Sequence, residues 1–302
     1  MKLQHAGHGA GLAALALVLN AFTWGVSWWP FRQLAALGLH PLWATVLIYG
    51  IAVLAITLWR PGAWGLLLRT PVLWVLVLAS GTTNAAFNWA VTLGDVVRVV
   101  LLFYLMPLWA VLLAQPLLGE RITAAALLRV ALALAGAAAV LWPPGGLAEG
   151  GLPLPRTLAE WLGVLGGFSF ALNNVMLRRE AQRPPEARAL AMFLGGVLVS
   201  LVLALALSPA AGNGGVPWPP ALAPAWVLGG LAMAAAFLLG NMALQYGASR
   251  LPANVTAVVM ITEVLFASGS AVLLGAGVLT PALLLGAALI ATATLLSARS
   301  GA

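Results

Sequence analysis

The stretch 254–275, NVTAVVMITEVLFASGSAVLLG, decides how the rest of the chain is read. It has the length of one bilayer-spanning helix, because a hydrocarbon core of ~30 Å takes about 20 residues at ~1.5 Å each. Its middle carries Glu263. An ionised carboxylate at that depth costs roughly 2.5 kcal/mol or more, so such acids turn towards a cavity and mark function by default. The chain has only seven acidic residues, and the other six fall at helix ends or in connections. At helical spacing Thr256, Met260, Glu263, Ala267 and Ser270 share the more polar face. That face is expected to look inward. The plainer alternative is a protonated Glu263 that is hydrogen-bonded and purely structural.

Working outward, an earlier stretch echoes this one. Leu117-Leu118-Gly119 matches Leu273-Leu274-Gly275 at a shift of 156, which lays Val100, Tyr104, Pro107, Val111 and Ala114 over the polar face. Pro107 falls on Glu263, a helix breaker in place of an acid. Ala21-Phe22-Thr23-Trp24-Gly25 lies over Gly167-Phe168-Ser169-Phe170-Ala171 at a shift of 146, bringing Arg32 onto Arg178. Asn88-Trp89-Ala90 lies over Asn241-Met242-Ala243 at a shift of 153, with Gly94 on Gly247. The three shifts keep chain order, so the chain reads as two related halves.

Composition sets the solvent. Hydrophobic residues make up 63% of the 302, charged residues 7%, and the mean hydropathy is +1.04. A soluble domain carries about 25% charge. The pattern predicts ten spans near 12–33, 41–59, 72–93, 97–117, 124–142, 160–178, 189–207, 225–246, 253–275 and 281–297. No room is left for a second, soluble domain. Lys2 ahead of an apolar run resembles a signal peptide, but Asn20 and Trp24 interrupt the run, and it reads as the first span.

Orientation follows from the basic residues. With the N-terminus inside, Lys2, Arg60, Arg69, Arg121, Arg129, Arg178, Arg179, Arg183, Arg188, Arg250 and Arg299 are cytoplasmic. Arg32, Arg98 and Arg156 are outside. Eleven against three is a positive-inside bias, and it requires an even number of spans. The Gly/Pro-rich connection 143–157 divides the chain into repeats 1–148 and 149–302 of five spans each. Five is odd, so the second repeat enters from the opposite side. The expected fold is therefore an all-α membrane protein, ten transmembrane helices as two inverted five-helix repeats around a central cavity, the design of many secondary transporters.

Polar side chains inside spans should face that cavity. They are Asn20, Trp24 and Ser27 on span 1, Ser80, Asn84, Phe87 and Asn88 on span 3, and Tyr104 on span 4. Ser169, Phe170, Asn173 and Asn174 follow on span 6, Asn241 and Gln245 on span 8, and Met260 and Glu263 on span 9. For the amides the competing role is interhelical glue, and for the aromatics it is core packing. Spans 2, 5, 7 and 10 are almost purely apolar and are expected to face lipid. Trp43, Trp59, Trp74, Trp161 and Trp226 sit at span ends and read as an interfacial belt. Pro107 and Pro252 bend or start helices and are candidates for gating. Ala131-Ala135-Ala139 and Ala287-Ala291 permit close helix approach, within a bundle rather than in a dimer, so a monomer is favoured.

Several chemistries are excluded. The absence of cysteine removes disulfides and thiolate sites. His5, His8 and His40 lie in the tail and a connection, so no metal or other cofactor is expected. The net charge of +7 is dispersed rather than gathered, which argues against nucleic acid. No nucleotide-binding or hydrolase motif occurs, so the chain is not read as an enzyme. The partners left are the lipid bilayer and a small-molecule substrate.

The chain resembles the drug/metabolite transporter superfamily, of the EamA type, over nearly its whole length. Trp24-Gly25, then Pro107 followed by Leu117-Leu118-Gly119-Glu120-Arg121, and the echo Leu273-Leu274-Gly275 carry the likeness. Within that group it is most similar to the aromatic amino-acid exporters. The resemblance implies export of small metabolites across a bacterial inner membrane, through a cavity lined by spans 1, 3, 4, 6, 8 and 9. It implies a Gly-Glu pair in each half, but here Gly275 is followed by Ala276, which leaves Glu120 as a loop anchor. The expected function is export of aromatic or other apolar amino acids by alternating access. Export of organic cations or drugs is the rival, and a non-transporting membrane interaction protein is the alternative from another class.

Because the chain has no cysteine, single introduced cysteines report sidedness directly. Labels at residues 2 and 299 should both react only from the cytoplasmic side. Reaction from opposite sides would rule out the antiparallel repeats.

Overall fold

The computed structural model describes residues 2–93, 99, 102–140, 155–209, 215–221, 223–274 and 281–300. Gly94, Arg98, Val100, Gly275, Ala276, the boundary at 148/149 and most of the connection 143–157 lie outside the described residues. Among the described residues the chain forms helices and no strand. They are α1 (Lys2–Ala36), α2 (Pro41–Trp59), α3 (Gly62–Arg69), α4 (Pro71–Leu93), α5 (Met106–Leu118) and α6 (Ala124–Val140). The second half contributes α7 (Leu158–Arg179), α8 (Pro185–Leu207), α9 (Pro224–Ala248), α10 (Ala253–Met260), α11 (Thr262–Leu273) and α12 (Pro281–Ser300).

Five segments are long and apolar enough to cross a membrane: Ala10–Ala36, Pro41–Trp59, Pro185–Leu207, Trp226–Ala248 and Ala253–Leu273. Gly62–Arg69 and Pro71–Ala90 are bent by 100° and would count as a sixth if taken as one span. The apolar helices Met106–Leu118, Ala124–Ala139 and Leu284–Ala293 are shorter. The helix α7 carries Glu160, Asn173 and Asn174 and is the most polar of the long ones. The chain is thus a multi-pass membrane protein. The helix α3 was not expected from the apolar pattern, which places 60–71 in a connection. It follows Arg60-Pro61, buries Ala63 and Leu67, and ends at Arg69, the arrangement of a short helix lying along an interface.

Each half packs mainly on the other. The helix α1 runs along α9, and α7 runs along α4 in the corresponding pairing. The contact of α1 with α11 is mirrored by α7 with α5, and α2 meets α8 as α6 meets α12. Glycines make the closest crossings. A Cβ on Gly195 of α8 would strike the Val77 carbonyl of α4, and one on Gly167 would strike the Phe103 carbonyl. A Cβ on Gly25 would sit 2.7 Å from the Glu263 carbonyl oxygen. One on Gly247 would run into Leu17 and the Ala13 carbonyl. Such approach is how helices associate in lipid, where apolar burial gives little drive.

Two helix starts fall at matching places. The helix α5 begins after Leu105 (φ −68°, ψ −4°) and α11 after Ile261 (φ −62°, ψ −18°), and these residues are 156 apart, the shift found in the sequence. Pro107 in the first turn of α5 accounts for the first break, since its ring cannot follow a preceding helical turn. At Ile261 there is neither proline nor glycine. Pro252 is the N-cap of α10, so both prolines named from sequence start helices. The expected belt is partly altered. Trp59, Trp74 and Trp161 are exposed, whereas Trp226 is buried with its indole N–H donating to the Ala221 carbonyl.

Gly195→Ala should lower the unfolding temperature in detergent, an overpacking cost of about 1–3 kcal/mol. Gly65→Ala, in α3 with nothing near its missing Cβ, should leave stability unchanged or slightly raised.

Candidate functional site

Helical spacing aims the site. The helix α1 turns Asn20 and Trp24 inward one turn apart, and α4 presents Ser80, Thr83 and Asn84, with Phe87 and Asn88 one turn on. Phe170 and Asn173 come from α7, and Phe237, Asn241 and Leu244 from α9. With Tyr49 of α2 and Met192 and Phe193 of α8, all of these but Phe87 and Asn88 surround an amide-rich cavity of about 40 Å³. A second cavity of about 30 Å³ is walled by Trp24, Thr83, Asn84, Phe87, Asn88, Phe103, Phe170 and Glu263. Four residues, Trp24, Thr83, Asn84 and Phe170, belong to both, so the two are compartments of one cavity.

Ten of the sixteen side chains expected at the cavity line it: Asn20, Trp24, Ser80, Asn84, Phe87, Asn88, Phe170, Asn173, Asn241 and Glu263; Gln245 is buried and donates to Asn241 Oδ1 at 2.7 Å without lining it. Met260 is fully buried behind Asn20. Ser27 donates to the Trp24 carbonyl at 2.7 Å, and Ser169 and Asn174 are buried between helices. Tyr104 packs edge-on to Phe103 at 5.9 Å, within electrostatic reach of Glu263, and does not line either compartment.

One expectation is corrected. Spans 2 and 7 do not simply face lipid: α2 supplies Tyr49, and α8 supplies Met192 and Phe193. The Tyr49 hydroxyl donates to Asn84 Oδ1 at 2.8 Å, while Asn84 Nδ2 donates to the Ser80 carbonyl at 2.8 Å. Asn88 Nδ2 donates to Thr45 Oγ1 of α2 at 2.7 Å. Tyr49 lies flat over Gly196, where any side chain would collide with its ring. A lone aromatic in an apolar span looks like a lipid contact in sequence. The polar atoms of Asn84 and Asn88, which need partners from somewhere, are the signal that could have found it.

The electrostatics are one-sided. Glu263 sits in the first turn of α11, where free backbone N–H groups and the helix dipole favour a carboxylate. Among the described residues none donates a hydrogen bond to it or forms an ion pair with it, and no Lys, Arg or His lines either compartment. Its walls are aromatic. Phe103 stacks on Phe170 at 5.8 Å and meets Phe87 at 4.9 Å, while Trp24 leans on Phe237 at 4.7 Å. Among the described residues no group of three His, Asp or Glu side chains could hold a metal.

Outside the cavity, His40 is used structurally, its Nδ1 accepting from the Leu42 N–H at 3.2 Å at the start of α2. Glu120 anchors its loop by accepting from the Ala253 N–H at 3.3 Å, at the first residue of α10. Burial pushes the Glu120 carboxyl above its usual range, against the opposing pull of that bond and of nearby Arg178. Arg178 donates to the Ser249 carbonyl at 2.8 Å. These contacts close the end of the bundle where α7, α9 and α10 meet the loop after α5.

The class is set by helices, cavity and composition together: a multi-pass, all-helical membrane protein with a polar chamber inside. Residues 11–142 match the model of the EamA-like transporter family, which supports the drug/metabolite transporter resemblance and points to a membrane transporter of small substrates. A protein of known crystal structure superimposes with a TM-score of 0.75 at 21% identity, covering 95% of this chain and 98% of that one, a likeness of fold. No curated protein matches the sequence.

Tyr49→Phe should lower stability by roughly 1 kcal/mol, because it leaves the buried Asn84 Oδ1 without its donor. Thermal unfolding in detergent reads this. An unchanged midpoint would mean that the bond is not made.

Proposed function

We propose that the chain is a secondary transporter of the EamA type, built of ten spans as inverted repeats 1–148 and 149–302, with both termini cytoplasmic in a bacterial inner membrane. It exports aromatic or other apolar amino acids by alternating access. The repeat reading is supported by the mirrored helix pairings and by the matching helix starts at Leu105 and Ile261.

The observation that carries the substrate reading is the carboxylate of Glu263, without a basic partner among the described residues, at the aromatic end of a cavity whose other end is lined by amides. An ammonium group beside Glu263 would complete the missing ion pair. A ring would pack against Trp24 and Phe170, burial and stacking together being worth ~2–3 kcal/mol. The amides of Asn20, Asn84, Asn173 and Asn241 would meet carboxylate oxygens. Phe103, rather than Tyr104, is the aromatic from span 4 that reaches the site. Pro107 and Pro252, each starting a helix at a crossing, serve as gating elements.

The same acid and aromatic walls favour a second reading, export of organic cations, through cation–π contact. Counterflow in liposomes with labelled tryptophan, and competition by a planar monocation, separates them. Glu263→Gln should reduce tryptophan counterflow by about 10–100-fold, the loss of a charge-assisted bond of ~1.5–3 kcal/mol. Unchanged rate and pH dependence would remove Glu263 from the mechanism. No movement of any labelled amino acid or cation by the unaltered protein would leave a non-transporting interaction protein instead.

A further inference from the structure

Two amide donors in the cavity are held by sulfur rather than oxygen. Asn241 Nδ2 donates to Met192 Sδ at 3.2 Å, and Asn20 Nδ2 donates to Met260 Sδ at 3.5 Å. All four residues are buried, with Met260 and Asn20 exposed by no more than 1%. Thioether sulfur is a weak acceptor, and oxygen is a much better one. The two asparagines are neighbours. A Cβ on Gly240 would lie 3.2 Å from Asn20 Oδ1, so the absence of a side chain beside Asn241 is what lets the α1 amide come up against α9.

Both asparagines line the amide-rich compartment, and each Nδ2 carries two N–H groups, one of which goes to sulfur. A buried donor with no acceptor costs free energy, and a donor locked to a strong acceptor would cost as much to release. A weak, polarisable acceptor avoids both penalties.

We propose that Met192 and Met260 are stand-in acceptors: they take up the amide donors of Asn241 and Asn20 until substrate binds and give them up to an oxygen acceptor of the substrate, a carboxylate or carbonyl. They thereby set substrate affinity without being the groups that recognise it. The inference rests on the transport reading above. It makes the amide end of the cavity the receptor for the oxygen-bearing end of the substrate, by exchange of N–H···S for N–H···O bonds. Met260 is a positioning residue, acting through Asn20, whereas Met192 lines the compartment itself as well as holding Asn241.

The exchange predicts opposite signs for two substitutions of similar size. Met192→Leu removes the stand-in, so the empty state carries an unpaired donor and binding relieves it. The tryptophan concentration for half-maximal counterflow should fall about five-fold, the low end for a buried unpaired donor, with no rise in maximal rate. Met192→Gln offers a carbonyl oxygen in place of sulfur and should raise that concentration above the unaltered value. Met260→Leu and Met260→Gln should repeat the order. A merely structural role predicts that Leu and Gln variants both weaken binding or leave it unchanged, and either result overturns the proposal. Tryptamine, which keeps the ring and the ammonium but lacks the carboxylate, should be insensitive to all four substitutions wherever it competes. Equal shifts for tryptamine and tryptophan would also overturn it. If the unaltered protein moves tryptophan normally and the order fails, only the stand-in role falls; if it moves neither compound, the transport reading falls with it.

Discussion

Backbone meeting backbone across the two halves is the constraint on which the rest depends. Gly25, Gly81, Gly136, Gly167, Gly195 and Gly247 each lie where an added Cβ would meet atoms of the opposite half, and most of those atoms are main-chain. In lipid an apolar side chain gains little by leaving the tails for another helix, so dispersion at short range has to hold helices together. These crossings fix the distance between α1 and α9 and between α4 and α8. The cavity is the space that remains between the crossings, and its size follows from how closely they bring the helices.

Inside that frame the polar groups form two different kinds of surface. Asn84 and Asn88 are tied to Tyr49 and Thr45 of α2 by bonds of 2.8 and 2.7 Å, and they act as scaffold as much as lining. The Nδ2 groups of Asn20 and Asn241 donate to sulfur, while Asn241 Oδ1 accepts from Gln245. Asn173 Oδ1 and Gln245 Oε1 have no protein partner among the described residues. A polar atom left in that condition inside a membrane is costly unless something arrives to meet it.

Much of the site was legible because polarity is conspicuous against an apolar background. Asn20, Asn84, Asn173, Asn241 and Glu263 stand out on helical spacing alone, and each lines the cavity. Tyr49, Met192, Phe193 and Phe237 were not legible, because an aromatic or thioether residue in an apolar span reads the same whether it meets lipid or a chamber. The start of α5 was foreseeable from Pro107, but the break at Ile261 has no local signal in its residue types. Its position is given only by comparison with the other half, at the shared offset of 156. The helix α3 was missed for a different reason: eight residues are too few to register against the span-length windows used for membranes.

The length of α1 has a consequence of its own. Its 35 residues extend about 52 Å, well beyond the ~30 Å of hydrocarbon, and its Lys2 end runs on past the Ala10 start of its apolar part. On this same rod Asn20 lines the amide-rich compartment and Trp24 lines both, and Pro30 lies on the far side of them from Lys2. The rod reaches about 27 Å from Asn20 to Lys2, so a tilt of ~10° at the cavity would swing its tip by about 5 Å in the aqueous phase. Any tilt of α1 at the cavity would therefore be legible to a probe placed at its amino-terminal end.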